Sequence, residues 1–280
     1  MEYFRLNNGL QIPMVGYGVY NIEDFDECVQ AVKQALEVGY RLIDTAQLYL
    51  NEAAVGTAIK QSTIKREDIF VTTKVWPSNA GYERGKASIL ASMEKLQLDY
   101  LDCVMIHQPF GDYYGTYKAL EELYKEGKLK SIGVSNFYPD RLLDIIYYNE
   151  TVPAINQVEA HVFAQRFAEK AIMEEHHIHM QAWSPLARGE NNLFHHPTLK
   201  TIGDRYNKTP AQIALKYLVQ NQISVIPKTV HKSRMTENID LFDFTLSDDD
   251  LKQINKLDLS FRFTDHRDPE VAKNIMKRKF

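Results

Sequence analysis

The length, composition and charge of the chain are those of an ordinary globular protein. Its 280 residues are 44% hydrophobic and 25% charged, with a formal net charge of −4, which provides material for a large core and excludes intrinsic disorder. Acidic and basic residues are interspersed, so the basic stripe of a nucleic-acid-binding surface is absent. The one basic block, Lys273 with Lys277-Arg278-Lys279, is interpreted as a solvated helix face rather than an anion-binding tail. No run of about 18 apolar residues occurs, and no export signal begins the chain. We therefore expect neither a nucleic-acid partner nor a membrane.

The cysteines and histidines give no sign of a disulfide or metal framework. Cys28 and Cys103 are the only cysteines, and each lies in an apolar pattern, so we predict reduced core thiols and a cytoplasmic location. His176, His177 and His179 could suggest a metal ligand set. Adjacent imidazoles at the end of a helix point in different directions, however, and no cysteine or acidic partner has ligand spacing. We predict no metal site.

The predicted elements begin with a hairpin and continue as an alternation of strands and helices. Residues 4–13 predict a β-hairpin that turns at Asn7-Asn8-Gly9, because Asn-Gly supplies the positive φ values that a tight two-residue turn needs. Eight short runs rich in Val, Ile and aromatic residues predict strands at residues 14–18, 40–43, 69–73, 101–106, 130–134, 154–158, 179–183 and 223–226. Between them, apolar residues recur at three- and four-residue steps, which is typical of helices. Thr209-Pro210 and Ser247-Asp248 are further helix starts.

Polar side chains stand at the carboxyl ends of seven consecutive predicted strands. They are Asp44, Lys74, His107, Ser135 with Asn136, Gln157, Trp183 with Ser184, and Lys228. In an open doubly wound sheet, ligands gather mainly at one switch point, whereas closure brings every strand end to one mouth. We therefore predict an α/β fold of the (β/α)8 TIM barrel type, with an N-terminal β-hairpin and extra helices, as a single domain over residues 1–280.

Four residues at this mouth would together perform acid–base chemistry on a carbonyl group. A free tyrosine has a pKa of about 10, and the ammonium of Lys74 beside the phenol of Tyr49 would lower that pKa. Asp44 would keep the ammonium charged, and a neutral His107 would hold the carbonyl oxygen. No Ser, Cys or Asp stands beside an activating base at a recognisable spacing. We therefore expect hydride from a nicotinamide, with Tyr49 as proton donor.

These residues belong to a set of motifs by which the chain resembles the aldo-keto reductase family from residue 4 to about residue 258. The motifs are Asp44-Thr45-Ala46-x-x-Tyr49-x-Asn51-Glu52, Thr73-Lys74, His107-x-Pro109, Gly133-Val134-Ser135-Asn136-Phe137, Asn156-Gln157, Trp183-Ser184-Pro185-Leu186 and Ile226-Pro227-Lys228-Thr229. Within the family, the chain is similar to the short bacterial reductases related to 2,5-diketo-D-gluconic acid reductase. The resemblance implies a TIM barrel that reduces aldehydes or ketones with NADPH, and it implies that Asp44, Tyr49, Lys74 and His107 are catalytic.

The resemblance also implies a binding site for NADPH or NADP+. Ser135, Asn136 and Gln157 match the groups that bind the nicotinamide carboxamide, Trp183 matches the ring that stacks on the nicotinamide, and Ser184 and Leu186 match the pyrophosphate-binding turn. Lys228, Thr229, Arg234, Glu237 and Asn238 match the adenosine end, with Lys228 and Arg234 at the 2′-phosphate. The remaining implied contacts are Gly18, Val19, Tyr20, Asp44, Pro185, Ile226 and Pro227. Arg234 falls in the first turn of a predicted helix at residues 233–239, where backbone N–H groups and the helix dipole favour phosphate. NADPH is therefore favoured over NADH.

The substrate side departs from the family pattern. Gln108 follows His107 where many relatives carry an aromatic residue, and Tyr20 replaces a common tryptophan. The expected substrate contacts are Tyr20, Leu48, Trp76, His107 and Gln108. Because residues 259–280 form only a short tail, we expect a rather open pocket. The protein is expected to be a monomer that acts on small carbonyls, dicarbonyls or keto-sugars.

Two alternatives remain beside the catalytic interpretation. Taken singly, Asp44 is more often a helix cap, Tyr49 half-buried packing and Lys74 a surface charge. It is their joint order that favours a reductase. The second alternative is a barrel that binds NADPH as a redox sensor or a partner-regulating subunit, with little turnover.

Overall fold

The computed structural model describes residues 1–279; Phe280, the last residue of the predicted domain and tail, lies outside it. The strands are β1 (Tyr3–Arg5), β2 (Gln11–Pro13), β3 (Tyr17–Gly18), β4 (Leu42–Asp44), β5 (Phe70–Val75), β6 (Cys103–Ile106), β7 (Ile132–Ser135), β8 (Ile155–Glu159), β9 (His179–Trp183) and β10 (Ser224–Val225). The helices are α1 (Phe25–Val38), α2 (Glu52–Gln61), α3 (Tyr82–Leu96), α4 (Tyr113–Lys125), α5 (Pro139–Tyr148), α6 (Phe167–Glu175), α7 (Pro197–Tyr206), α8 (Pro210–Gln220), α9 (Lys232–Ile239), α10 (Asp248–Asn255) and α11 (Pro269–Lys277). Among residues 1–279, no helix has the length and apolar character to cross a bilayer.

Strands β3 to β10 form one parallel sheet that closes into a barrel. The eight strands pair in chain order, and Val15, just before β3, forms a parallel bridge with Val225 of β10. The Gly16 N–H donates to the Val225 carbonyl at 2.8 Å. A Cβ on Gly18 would lie 3.2 Å from the carbonyl oxygen of Ile226, so the closing strands approach closely. The predicted (β/α)8 barrel and its eight strands are confirmed.

Helices α1 to α10 lie around the barrel and each buries side chains against it, whereas α11 buries none. Helix α1 starts where the Asp24 side chain accepts a hydrogen bond from the Glu27 N–H at 2.8 Å, and it ends at Gly39, whose φ is 117°. Such caps satisfy backbone groups that the helix leaves unpaired at its ends. The two late helices predicted from their starts are confirmed, and Thr209 before α8 and Ser247 before α10 both form capping boxes.

The N-terminal hairpin closes one end of the barrel. Leu6 and Ile12 pack with Leu42 and Ile155, which lie at the starts of β4 and β8. The hairpin and its turn at Asn7-Asn8-Gly9 are confirmed, but the turn does not have the tight two-residue geometry. The Leu6 N–H donates to Leu10 O and the Gly9 N–H to Leu6 O, both at 2.9 Å, so three residues form the loop, and among them only Gly9 has a positive φ. Because the strand starts are covered, the carboxyl ends form the accessible mouth.

Candidate active site

A cavity of about 680 Å³ lies at the carboxyl ends of the barrel strands. Its volume falls in the range of small-molecule binding sites. The residues that line it are Gly18, Tyr20, Asn21, Asp44, Leu48, Tyr49, Trp76, His107, Gln108, Ser135, Asn136, Gln157, Trp183, Ser184, Pro185, Leu186, Arg188, Ile226, Pro227, Lys228, Thr264, His266, Ile275 and Arg278. The carboxyl face of the strands is where TIM barrels place their active sites.

A buried ion pair forms the floor of this cavity. Asp44 is the last residue of β4, and Lys74 lies one residue before the end of β5. Lys74 Nζ is 2.5 Å from Asp44 Oδ1, and the two side chains are 0% and 2% exposed. The ammonium also donates to Thr45 O at 2.9 Å. Burial lowers the pKa of Lys74, and the Asp44 carboxylate opposes that shift, so the pair holds a charged ammonium where an isolated one would tend to lose its proton.

Tyr49 lies beside the ion pair, at the end of a 3-10 turn formed by Gln47–Tyr49. Lys74 Nζ is 5.2 Å from the centre of the Tyr49 ring. Burial raises the pKa of Tyr49 well above its ordinary value, and the negative charge of Asp44 adds to that rise. The predicted lowering of the pKa of Tyr49 is therefore wrong for this arrangement, because desolvation of the phenolate and the nearby carboxylate raise it. Tyr49 is a neutral phenol that carries its proton.

His107, which follows β6, is held between two aromatic rings. The centre of its ring is 5.7 Å from that of Tyr49 and 5.0 Å from that of Trp76, and both contacts are edge-to-face. Burial first, then the charge of Lys74, lowers the pKa of His107 well below its usual value. The imidazole is therefore neutral at physiological pH, as the sequence argument required. Its Nδ1 is buried without a hydrogen-bond partner among residues 1–279.

Amide side chains continue the wall of the cavity from the ion pair towards Trp183. Gln157 Nε2 donates to Asp44 Oδ2 at 2.7 Å. Asn136, next along the wall, donates to His107 O at 3.0 Å and accepts from the indole Nε1 of Trp183 at 2.8 Å. Its φ of 65° is a left-handed conformation that asparagine tolerates better than most residues. These bonds fix the orientation of the amide groups and of the indole.

The adenosine-end residues lie beyond the lining of the cavity, except for Lys228. Arg234 is in the first turn of α9, and no side chain caps the start of that helix. Tyr17 holds the preceding turn through a 2.6 Å hydrogen bond to Thr229 O, and Thr209 Oγ1 donates to Glu237 Oε1 at 2.6 Å. The exposed Lys228 and Arg234 make none of the ion pairs found among residues 1–279.

The structure thus brings most of the predicted site residues to one cavity. Those that line it are Gly18, Tyr20, Asp44, Leu48, Tyr49, Trp76, His107, Gln108, Ser135, Asn136, Gln157, Trp183, Ser184, Pro185, Leu186, Ile226, Pro227 and Lys228. Those outside the lining are Val19, Lys74, Thr229, Arg234, Glu237 and Asn238. Lys74 acts from behind the wall through Asp44, and Val19 is fully buried beneath it.

Residues of the C-terminal tail form part of the cavity wall, together with the predicted Tyr20, Leu48 and Trp76. Thr264, His266, Ile275 and Arg278 all line the cavity. The indole Nε1 of Trp76 donates to Arg278 O at 2.8 Å, which ties the end of the tail to the barrel. Sequence analysis did not place these residues at the site, because α11 buries no side chain and the basic cluster that includes Arg278 was interpreted as a solvated helix face. The lining residues Asn21 and Arg188 were missed for lack of a pattern.

Glu159, the last residue of β8, holds the root of the tail. This carboxylate is 2% exposed, and it accepts from the Phe263 N–H at 2.7 Å and from the Thr264 N–H at 3.3 Å. His161 Nε2 lies 3.3 Å from the same carboxylate. A buried acceptor that binds two backbone N–H groups fixes the course of the chain towards the cavity. Glu159 therefore connects a barrel strand to the far wall of the site.

The fold and the site define a barrel enzyme with its acid–base groups at the strand carboxyl ends. The Aldo/keto reductase family model matches residues 15–259. The glyoxal reductase of Bacillus subtilis is 42% identical over 254 residues, which cover 90% of this chain and 91% of that protein. An aldo-keto reductase crystal structure from a Medee basin deep-sea metagenome library has a TM-score of 0.92 at 39% identity, and the match covers 95% and 98% of the two chains.

A third relative is an aldo-keto reductase of Bombyx mori, whose crystal structure is a complex with NADP. It has a TM-score of 0.90 at 32% identity, and the match covers 96% of each chain. The chain belongs to the aldo/keto reductase family. The family resemblance drawn from the motifs is confirmed.

Proposed function

We propose that the protein reduces small aldehydes or ketones to alcohols with NADPH. The observation that carries this proposal is the buried Lys74–Asp44 ion pair, with its 2.5 Å contact, below the rings of Tyr49 and His107. Because these groups share one cavity with Trp183 and Lys228, the acid–base cluster and the candidate cofactor-binding residues open onto the same space.

The donor groups along the cavity fit a nicotinamide dinucleotide phosphate. Amide groups of Asn136 and Gln157 suit the carboxamide, and the indole of Trp183, fixed by its bond to Asn136, suits the flat ring. Two cations outside the ion pairs of residues 1–279, Lys228 and Arg234, suit a 2′-phosphate beside the uncapped start of α9. Bound NADPH supplies the hydride.

Tyr49 is the proposed proton donor. A phenol whose pKa is raised by burial keeps its proton until strong negative charge develops on the carbonyl oxygen, and the alkoxide is a far stronger base than a phenolate. Lys74 stabilises the phenolate left behind, since its ammonium lies over the Tyr49 ring, 5.2 Å from the ring centre. Asp44 keeps that ammonium charged and directed.

His107 is the proposed group that orients the carbonyl. Its low pKa makes it a neutral imidazole, which donates one hydrogen bond without carrying a charge of its own. A neutral donor polarises the carbonyl oxygen and leaves proton transfer to Tyr49. The two rings contact each other edge-to-face, so one oxygen atom could be held between them.

A redox-sensing or partner-regulating barrel is not favoured. Such a protein would not need a buried ion pair beside a protonated phenol, and burial of that pair is costly unless it is used or well compensated.

We also propose that the protein is a cytoplasmic monomer. The supporting observation for the cytoplasm is that Cys28 and Cys103 are both buried and unpaired. Size-exclusion chromatography with light scattering tests the oligomeric state.

A substrate panel tests the proposed reaction. The purified protein is mixed with NADPH and, in turn, glyoxal, methylglyoxal, an aromatic aldehyde, a simple ketone and a keto-sugar, while NADPH absorbance is followed. We expect turnover with at least one aldehyde or dicarbonyl and formation of the corresponding alcohol. Binding of NADPH without oxidation by any of these carbonyls would support the sensor instead.

A further inference from the structure

Two buried glutamine side chains lie next to each other behind the wall of the cavity. Gln157 on β8 and Gln181 on β9 are partners in the register of the parallel sheet. Gln157 Nε2 donates to Gln181 Oε1 at 2.7 Å, and the two residues are 2% and 0% exposed. Gln157 lines the cavity, whereas Gln181 does not. Any effect of Gln181 on a bound molecule must therefore pass through its neighbours.

The orientation of the Gln157 amide is fixed by two acceptors. Its Nε2 donates one hydrogen to Asp44 Oδ2 at 2.7 Å and the other to Gln181 Oε1. The carboxylate excludes the opposite orientation, because an amide oxygen turned towards it would place two acceptors against each other. One bond to Asp44 would still let the amide plane rotate about that bond. The bond to Gln181 removes this rotation, so the direction of the amide oxygen is determined.

The amide oxygen of Gln157 is the atom that remains for the cavity. Among residues 1–279 no group donates to Oε1, and this oxygen is not one of the buried unpaired atoms. Because Gln157 lines the cavity, its Oε1 is the acceptor that the side chain presents to a bound molecule. An acceptor is complementary to an N–H donor, and the carboxamide of a nicotinamide carries such a donor.

The side chain of Gln181 makes one hydrogen bond among residues 1–279, the bond to Gln157. Its own Nε2 is buried without a partner, as is the hydroxyl of Ser224 on the neighbouring strand. A buried N–H2 group without an acceptor costs free energy, and an apolar side chain of similar length would not carry that cost. The fold alone therefore does not account for a glutamine at this position, whereas the bond to Gln157 does.

We propose that Gln181 is a positioning residue that holds the Gln157 amide with its nitrogen on Asp44 and its oxygen towards the cavity, where that oxygen recognises the N–H2 of the nicotinamide carboxamide. This inference rests on the proposed function, through the binding of NADPH. Gln181 does not line the cavity, so it takes no part in hydride or proton transfer. It enables one side chain to hold the counter-ion of Lys74 and to bind the cofactor.

Two cofactors that differ in one group test this inference. The 3-acetylpyridine analogue of NADP+ carries a methyl group where NADP+ carries the amide N–H2, so it lacks the donor for Gln157 Oε1. Titration of protein fluorescence gives the dissociation constant of each cofactor. We expect the unmodified protein to bind NADP+ about three- to tenfold more tightly than the analogue, the scale of one neutral hydrogen bond. Gln157→Met removes the acceptor itself and should give the lowest ratio.

Substitutions of Gln181 separate positioning from support of the fold. Gln181→Met should weaken NADP+ and leave the analogue's dissociation constant unchanged, so that the ratio falls towards that of Gln157→Met. Gln181→Glu keeps an acceptor oxygen at the same place and should keep most of the ratio. Gln165→Met is the matched control, because Gln165 is also buried but donates to Val162 O and Ile254 O at 2.9 Å and does not line the cavity. It should lower the melting temperature and leave the ratio unchanged.

The melting temperature of the unliganded protein gives a second readout. Gln181→Met removes an unpaired N–H2 group and at the same time leaves one Gln157 N–H without its acceptor, so we expect little net change. A large fall in melting temperature with an unchanged ratio would show that Gln181 only supports the fold, and would overturn its positioning role.

The remaining outcomes separate this inference from the reduction itself. Equal weakening of NADP+ and its analogue in Gln181→Met would overturn the positioning role. So would equal ratios in the unmodified protein and in Gln157→Met, because the Gln157 oxygen would then bind no donor of the cofactor. In these cases turnover in the substrate panel still supports the proposed function. Failure of the unmodified protein to bind NADP+ would refute the proposed function and this inference with it.

Discussion

The two walls of the cavity differ in how they are built. The strand-end wall carries Asp44, Lys74 and His107 on or just after three neighbouring barrel strands, and its polar groups are linked by short hydrogen bonds. The tail wall is the C-terminal segment from Phe263 to Arg278. It is held at its start by the hydrogen bond from the Phe263 N–H to Glu159, and at its end by the hydrogen bond from Trp76 to the Arg278 carbonyl. Helix α11 in that wall buries no side chain. We infer that the first wall is rigid and determines the chemistry, whereas the second is weakly held and determines which carbonyl is accepted.

The largest effect should come from breaking the ion pair in the strand-end wall. Lys74→Met leaves Asp44 buried without a counter-charge, so we expect the free energy of unfolding to fall by about 3–5 kcal/mol, the usual cost of an uncompensated buried charge. Urea unfolding measures it. The double variant Asp44→Asn with Lys74→Met removes both charges and should recover most of the loss. Equal stability of the single and double variants would mean that the pair contributes nothing to the rigidity of this wall.

Lys228 and Arg234, near the adenosine end, should contribute to the affinity for NADPH and hardly at all to the affinity for NADH. Lys228→Gln and Arg234→Gln should each weaken NADPH binding by about 1.5–3 kcal/mol, the range for hydrogen bonds to charged groups, and leave NADH nearly unaffected. Titration of protein fluorescence with each cofactor measures this. Lys232→Gln is the control, because Lys232 lies on the same helix but pairs with Glu37 at 2.9 Å. Equal losses for NADPH and NADH would refute the 2′-phosphate assignment.

His266, in the tail wall, should make the stability of the folded protein depend on pH. Burial, followed by Arg166, lowers the pKa of His266 to about 4, although Glu159 and Asp265 oppose the shift. Below pH 6.5 the unfolded chain therefore takes up a proton that the folded protein does not, so this contribution to stability is present above pH 6.5 and is lost as pH falls towards 4. Between pH 7 and pH 5 the loss should be about 2 kcal/mol. Urea unfolding of His266→Leu should show a decline smaller by that amount; an identical decline would contradict the neutral imidazole.

The smallest effect on stability should come from removing the end of the tail. Deletion of residues 269–280 removes α11, which buries no side chain, and the hydrogen bond from Trp76 to Arg278 O. We expect a loss of about 1 kcal/mol, the net worth of one such bond, with KM for the carbonyl substrate raised and kcat for a small aldehyde retained. Thermal unfolding and steady-state kinetics measure these effects. A loss of stability as large as that of Lys74→Met would show that the tail wall is held as firmly as the strand-end wall.

The same difference explains what could be predicted from the sequence. Each residue of the strand-end wall stands at the end of a short apolar run, so the periodicity that predicted the barrel also predicted that Asp44, Lys74 and His107 would meet. The tail wall depends on contacts between distant residues, such as Trp76 with Arg278 and Glu159 with Phe263. No local pattern encodes such contacts, so the sequence did not assign the tail residues to the cavity.

The chemistry of Tyr49 shows a second limit of prediction. The residue types suggested that Lys74 would make the phenol more acidic, yet burial dominates and raises the pKa. Desolvation depends on packing from several parts of the chain, including Tyr20, whose ring centre is 5.0 Å away. Residue type and spacing predicted that Tyr49 would lie near Lys74 and Asp44. The direction of its pKa shift depends on the balance between burial and charge, which only the folded arrangement shows.

A single-turnover measurement with Tyr49→Phe tests the central claim, that the strand-end wall performs the proton transfer. The protein is loaded with NADPH, mixed rapidly with a saturating aldehyde, and the loss of NADPH absorbance is timed. We predict that Tyr49→Phe binds NADPH as the unmodified protein does but reacts about 10²- to 10⁴-fold more slowly, whereas Tyr20→Phe, in a ring on the same wall, changes the rate far less. An unchanged rate in Tyr49→Phe would contradict the account.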